Sequence, residues 1–140
     1  MEAFGTPLPA AGASVLVVDD DPFIVRLLEI ELNAAGFDVR TAGHGVAALE
    51  RVHERVPDLV LADVMMPIMD GFELTRRLRA DQRTAGVRVI LLTALGFRAG
   101  RTQGMNVGAD EYVVKPFEVP PLIERIRELI GQPSTATQPA

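Results

Sequence analysis

The chain of 140 residues contains no cysteine and no tryptophan, one tyrosine, and two histidines. Without thiols there are no disulfides and no thiol chemistry, which fits a reducing compartment. The two histidines, His44 and His53, have no partnering pattern and read as surface residues. No apolar run approaches the length of a membrane span. The N-terminal stretch MEAFGTPLPAAGAS lacks the basic start and apolar core of a signal peptide. A cytoplasmic location is therefore expected. Positive charge is also in deficit: 14 Lys and Arg against 19 Asp and Glu give a net charge of -5, which argues against a broad nucleic-acid-binding face.

What is present is ordinary globular composition, 48% hydrophobic and 24% charged, enough to build one core. Residues 1–13, rich in Ala, Gly and Pro, and residues 131–140, GQPSTATQPA, read as disordered tails around a domain at 14–130. Within the domain two patterns alternate. SVLVVD, FDVRTA, DLVLAD, VRVILLTA and EYVVKP are strands, and three of them are near-continuous apolar runs of the kind buried on both sides. Between them lie helical stretches. Ile24, Leu27, Leu28 and Leu32 share a face of the first, opened by Pro22 behind a capping Asp21 or Asp20. Leu122, Ile126 and Leu129 share a face of the last. Alternation of this kind predicts an α/β fold: an open, doubly wound parallel sheet of five strands with helices on both faces.

Ligands in such folds bind at the carboxyl ends of the strands, near the point where strand order reverses. Those ends carry the chemistry. The first strand runs into Asp19, Asp20 and Asp21, the third ends at Asp63, the fourth at Thr93-Ala94, and the fifth at Lys115-Pro116. Crowded carboxylates repel and raise one another's pKa. A cation offsets that repulsion, and hard oxygen donors suit Mg²⁺, which commonly bridges to a phosphate. A lysine and a threonine hydroxyl can hold the remaining phosphate oxygens.

The stretches VLVVDDDP, DLVLADVMMPIMDGFEL, VILLTA and GADEYVVKPF, in this order, resemble the receiver domain of two-component response regulators, of the stand-alone CheY-like kind, over roughly residues 14–130. The resemblance implies the flavodoxin-like strand order 2-1-3-4-5. It also implies that Asp63 accepts a phosphoryl group from a histidine kinase or phosphotransfer protein. By the same resemblance Asp19, Asp20, Asp63 and the backbone carbonyl of Met65 hold Mg²⁺, and Thr93 and Lys115 contact the phosphoryl group. Tyr112 is then a switch aromatic that moves with Thr93. Such a protein is a signalling phosphoacceptor, not a conventional enzyme, although it catalyses its own phosphorylation and dephosphorylation. Its output is phosphorylation-dependent docking to a partner, or phosphorelay. No nucleic-acid-binding helix pair or membrane segment is expected from residues 131–140.

Two other classes compete. Asp19 and Asp21 also read as the D-x-D of a haloacid dehalogenase-type phosphatase, but Pro22 and Phe23 follow where that motif wants Thr or Val. A degenerate receiver that only binds partners would lack some of the residues that are all present here. Further expectations attach to single features. The Lys115–Pro116 bond should be cis. Met65 and Leu95, two residues beyond Asp63 and Thr93, should shield the site from water. Met65, Met66 and Met69 should be packing and loop residues, and Arg76, Arg77 and Arg79 a solvated helix face. Gly96, Gly100 and Gly104, three helix-weakening residues at four-residue intervals, predict a short, frayed or displaced fourth helix. The competing reading is a stripe that lets another backbone approach.

Overall fold

Ten elements alternate strictly in the computed structural model, which describes residues 12–94 and 97–131. They are β1 (Ser14–Val18), α1 (Pro22–Ala34), β2 (Asp38–Ala42), α2 (Gly45–Glu54), β3 (Leu59–Asp63), α3 (Gly71–Ala80), β4 (Arg88–Thr93), α4 (Phe97–Asn106), β5 (Glu111–Val114) and α5 (Val119–Ile130). The strands form one parallel sheet in the order β2-β1-β3-β4-β5. The order reverses between β1 and β3, whose ends carry the acids. Their register sets Val18 opposite Ala62, so Asp19 and Asp63 leave the sheet side by side.

Successive strand residues point to opposite faces. Val15, Val17, Leu59, Leu61, Ile90 and Leu92 pack with Leu28 and Leu32 of α1 and with Leu122, Ile126 and Leu129 of α5. Leu16, Val18, Val60, Ala62, Val89 and Leu91 pack on the other face with residues of α2 and α3, together with Tyr112. The central strands β3 and β4 are buried along their whole length, the burial expected where helices cover both faces.

Local chemistry fixes the element ends. Asp21 caps α1, accepting from the Phe23 amide at 2.9 Å, with Pro22 in the first turn. Asp70 caps α3 through the Glu73 amide at 2.8 Å. His44, exposed as expected, also caps α2: its Nδ1 accepts from the Ala47 amide at 3.2 Å. Gly12 and Ala13 are tied to the sheet edge, Gly12 donating to the Gly36 carbonyl and Ala13 accepting from the Asp38 amide. The rest of the two expected tails, residues 1–11 and 132–140, lies outside the described residues.

Two expectations need correction. The helix face assigned to solvent holds Arg76 and Arg77, both exposed and paired with Glu73, but not Arg79. Arg79 turns inward and donates to the carbonyls of Gly108, Ala85 and Val87 and to Asp110 at 3.0 Å. Asp110 also accepts from Arg88 at 3.0 Å and from the Val89 amide at 2.8 Å. A side chain with several donors can satisfy the open carbonyls of two loops at once, which a helical charge pattern does not reveal. The second correction concerns α4, which is not short: it is helical from Phe97 to Asn106. The atoms nearest to Gly100 and Gly104 are side-chain atoms, and Gly96 lies outside the described residues. Gly100 and Gly104 face the ring of Tyr112.

Candidate functional site: an acidic cluster at the strand ends

β1 delivers Asp19 and Asp20, and β3 delivers Asp63. One carboxylate oxygen from each lies within 4.8 Å of the other two. Asp19 and Asp63 are buried, whereas Asp20 stands at the solvent side. β5 brings Lys115 across the sheet. Its ammonium lies 3.0 Å from Asp19 Oδ2 and 3.3 Å from Asp63 Oδ1. The Lys115–Pro116 bond is cis, as expected, and the Lys115 amide donates to the Thr93 carbonyl at 2.8 Å. Thr93 is fully buried, and Ala94 beside it is exposed.

The electrostatics follow from this arrangement. Burial and the neighbouring charge of Asp19 push the Asp63 carboxyl up to about 6, against the opposing pull of Lys115. Burial works to lower the Lys115 ammonium. Its hydrogen bond to Asp19 and the charges of Asp19 and Asp63 outweigh that, and its pKa lies above the ordinary value. The cluster thus holds more negative charge than its one lysine neutralises, and its donors are all hard oxygens. These residues fit a small divalent cation such as Mg²⁺.

Asp63 opens onto the loop at 64–70. Met66 and Met69 pack into the core, and Met65 is exposed. Ile68 adopts a left-handed backbone, φ 72°, and is wholly exposed, a conformation that β-branched residues rarely accept. Leu95, expected to flank the site with Met65, lies outside the described residues. The loop returns at Gly71. A methyl there would sit 2.7 Å from the Asp63 carbonyl oxygen and 2.9 Å from the Val64 Cα. Only glycine lets the start of α3 close onto the end of β3. Gly71 was not among the residues expected at the site. Its signal was the Asp-Gly pair following the methionine-rich turn.

Tyr112 is 3% exposed and sits in the core beneath α4. Burial raises its phenol pKa, and the nearby Thr93 side chain opposes the rise. The phenol oxygen makes no well-formed hydrogen bond among the described residues.

A parallel five-stranded sheet bearing three carboxylates and a lysine at its switch point defines a class, and comparison with known proteins agrees. Residues 15–127 match the response regulator receiver domain, and the chain belongs to that family. It is a signalling receiver domain rather than a conventional enzyme. Its acidic cluster is of the kind that phosphoaccepting CheY-like regulators carry. It is 41% identical over 126 residues, 90% of its length, to the DNA-binding dual master transcriptional regulator RpaA of Synechocystis, of which that match covers 52%. It is 44% identical over 117 residues, 84% of its length, to the response regulator PleD of Caulobacter vibrioides, of which the match covers 26%. The chain thus spans about half, or less, of the length of these relatives. Among solved structures it resembles chemotaxis protein CheY4 of Vibrio cholerae, with a TM-score of 0.80 and 32% identity, covering 85% of this chain and 99% of that one. It also resembles the receiver domain of the sensor histidine kinase PA1611 of Pseudomonas aeruginosa, which carries a magnesium ion in its active-site cleft. The TM-score is 0.80 and the identity 30%, covering 87% of this chain and all of that one. No helix among the described residues is long and apolar enough to cross a membrane.

Proposed function

We propose that Asp63 is the phosphoacceptor of this receiver, taking the phosphoryl group from the phosphohistidine of a histidine kinase or phosphotransfer protein. The convergence of Asp19, Asp20 and Asp63 with the Lys115 ammonium at 3.0 and 3.3 Å carries the reading. In the transfer, a carboxylate oxygen of Asp63 forms a bond to phosphorus. The phosphorus–nitrogen bond of the donor breaks, and its electron pair stays on the leaving imidazole. Such transfer asks the protein mainly for alignment and charge neutralisation.

The chain's own residues supply both. β3 fixes Asp63 at the floor of the cluster, and Gly71 lets α3 pack against the strand end that holds it. Lys115 already spans Asp19 and Asp63, so its ammonium stands where it can pair with an oxygen of a phosphoryl group on Asp63. Thr93, at the end of the neighbouring strand, offers a hydroxyl to a second oxygen, and the small Ala94 leaves space beside it. Asp19, Asp20, Asp63 and the Met65 carbonyl would hold Mg²⁺, which when bound supplies the positive charge that lets an anionic acceptor meet an anionic donor. The magnesium ion in the similar PA1611 receiver supports this assignment. The signal then passes by phosphorylation-dependent docking to a partner protein, or by relay.

Incubation with acetyl phosphate and Mg²⁺, resolved on a phosphate-affinity gel, tests the assignment. The wild type should label, and Asp63→Asn should label at least about a hundredfold less. Lys115→Ala should remain labelled weakly or not at all. Full labelling of Asp63→Asn would place the acceptor elsewhere.

A further inference from the structure

Tyr112 is buried, and the shape of α4 above it is what gives the ring its place. Its oxygen lies beside the Thr93 side chain but makes no well-formed hydrogen bond among the described residues. Shape holds it instead. A methyl group at Gly100 would overlap the phenol oxygen and Cζ of Tyr112 outright and lie 3.1 Å from Cε1. One at Gly104 would lie 3.1 Å from Cδ1 of the same ring and 3.3 Å from Leu91. One turn of α4 therefore gives the ring its seat and the next gives the phenol tip its room. Both glycines are themselves buried by this packing.

We propose that Gly100 is a notch that seats Tyr112 beneath α4, so that the tyrosine's buried position and the position of α4 depend on each other. Any side chain at 100 competes for the volume the phenol occupies. Either the ring leaves or the helix lifts. Because the phenol also lies beside Thr93, the notch links α4 to the residue that meets the phosphoryl group. The seat itself is independent of phosphorylation; its value as a link to Thr93 rests on the proposed function.

The composition provides the probe: with one tyrosine and no tryptophan, all intrinsic tyrosine emission comes from Tyr112. In the full chain, the acrylamide quenching constant should be low, and Gly100→Ala should raise it by about threefold or more as the overpacked ring is displaced. An unchanged constant would overturn the notch. Gly104→Ala, with only marginal overlap, should raise it less. Should Gly100→Ala fold poorly, a mutant cycle decides. Alanine is the better helix former. It should therefore lower the melting temperature beside Tyr112 but raise it, or leave it unchanged, in a Tyr112→Ala background. An equal loss in both backgrounds would overturn the proposal. Labelling by acetyl phosphate is read separately. A wild type that fails to label while Tyr112 stays protected defeats the phosphoacceptor assignment and leaves the notch standing.

Discussion

Asp63 carries an acid whose pKa lies near 6 in the folded chain, above the ordinary 3.8. A carboxyl raised in this way binds its proton more tightly when folded than when unfolded. Its ionisation therefore costs stability, nothing below about pH 4 and progressively more as pH rises through 6, up to about 3 kcal/mol. Asp63→Asn removes that cost while keeping the shape, at the loss of one Lys115 contact. In chelated, metal-free buffer the variant should melt higher than wild type near neutral pH, and the gap should close as pH falls from about 6 to about 4. A gap that stayed constant over that range, followed by thermal melts, would show that Asp63 ionises without strain. Such residues were legible in the sequence because each closes a strand, and strand ends in this fold meet at one edge. Gly71 was not legible in the same way, because its role comes from a backbone on another element. Neither was Arg79, whose exposure was inferred from its arginine neighbours. The chain turns Arg79 into two loops whose carbonyls no local pattern announces.

At the scale of elements, the Arg79–Asp110–Arg88 group joins the end of α3, the start of β4 and the turn before β5. Asp110 is mostly buried, and the side chain of Arg88 is 8% exposed. Deleting one partner of such a group leaves buried charge poorly compensated. Asp110→Ala should therefore destabilise the chain by about 3 kcal/mol in urea unfolding. Arg77→Ala, removing an exposed pair with Glu73, should cost under about 1 kcal/mol. Equal losses would mean that burial does not govern these ion pairs. The elements themselves were readable because strands are marked by β-branched runs and helices by capping residues and a single apolar face. α4 was misread because propensity counts each glycine as a penalty. Here the missing side chains are what the Tyr112 ring packs against, and tertiary contact overrides local preference.

For the whole molecule, the acidic edge sets three carboxylates against one lysine in a chain already at net charge -5. A ligand that binds the folded form alone stabilises it by mass action. Mg²⁺ at tenfold its dissociation constant should raise the melting temperature by about 3–6 °C, and Asp20→Ala should shrink the gain. Ca²⁺-free melts with and without millimolar Mg²⁺ measure this directly, and an unchanged wild type would speak against the cation. The sheet has a further consequence for anyone who wishes to alter the protein. It is a partition between two separate hydrophobic clusters. One is backed by α1 and α5. The other is backed by α2 and α3 and includes Tyr112. The first half carries no residue of the Tyr112 seat. Substitutions in that half, around Leu28, Leu32 and Ile126, can therefore be made without touching the residues that pack on Tyr112 across the wall.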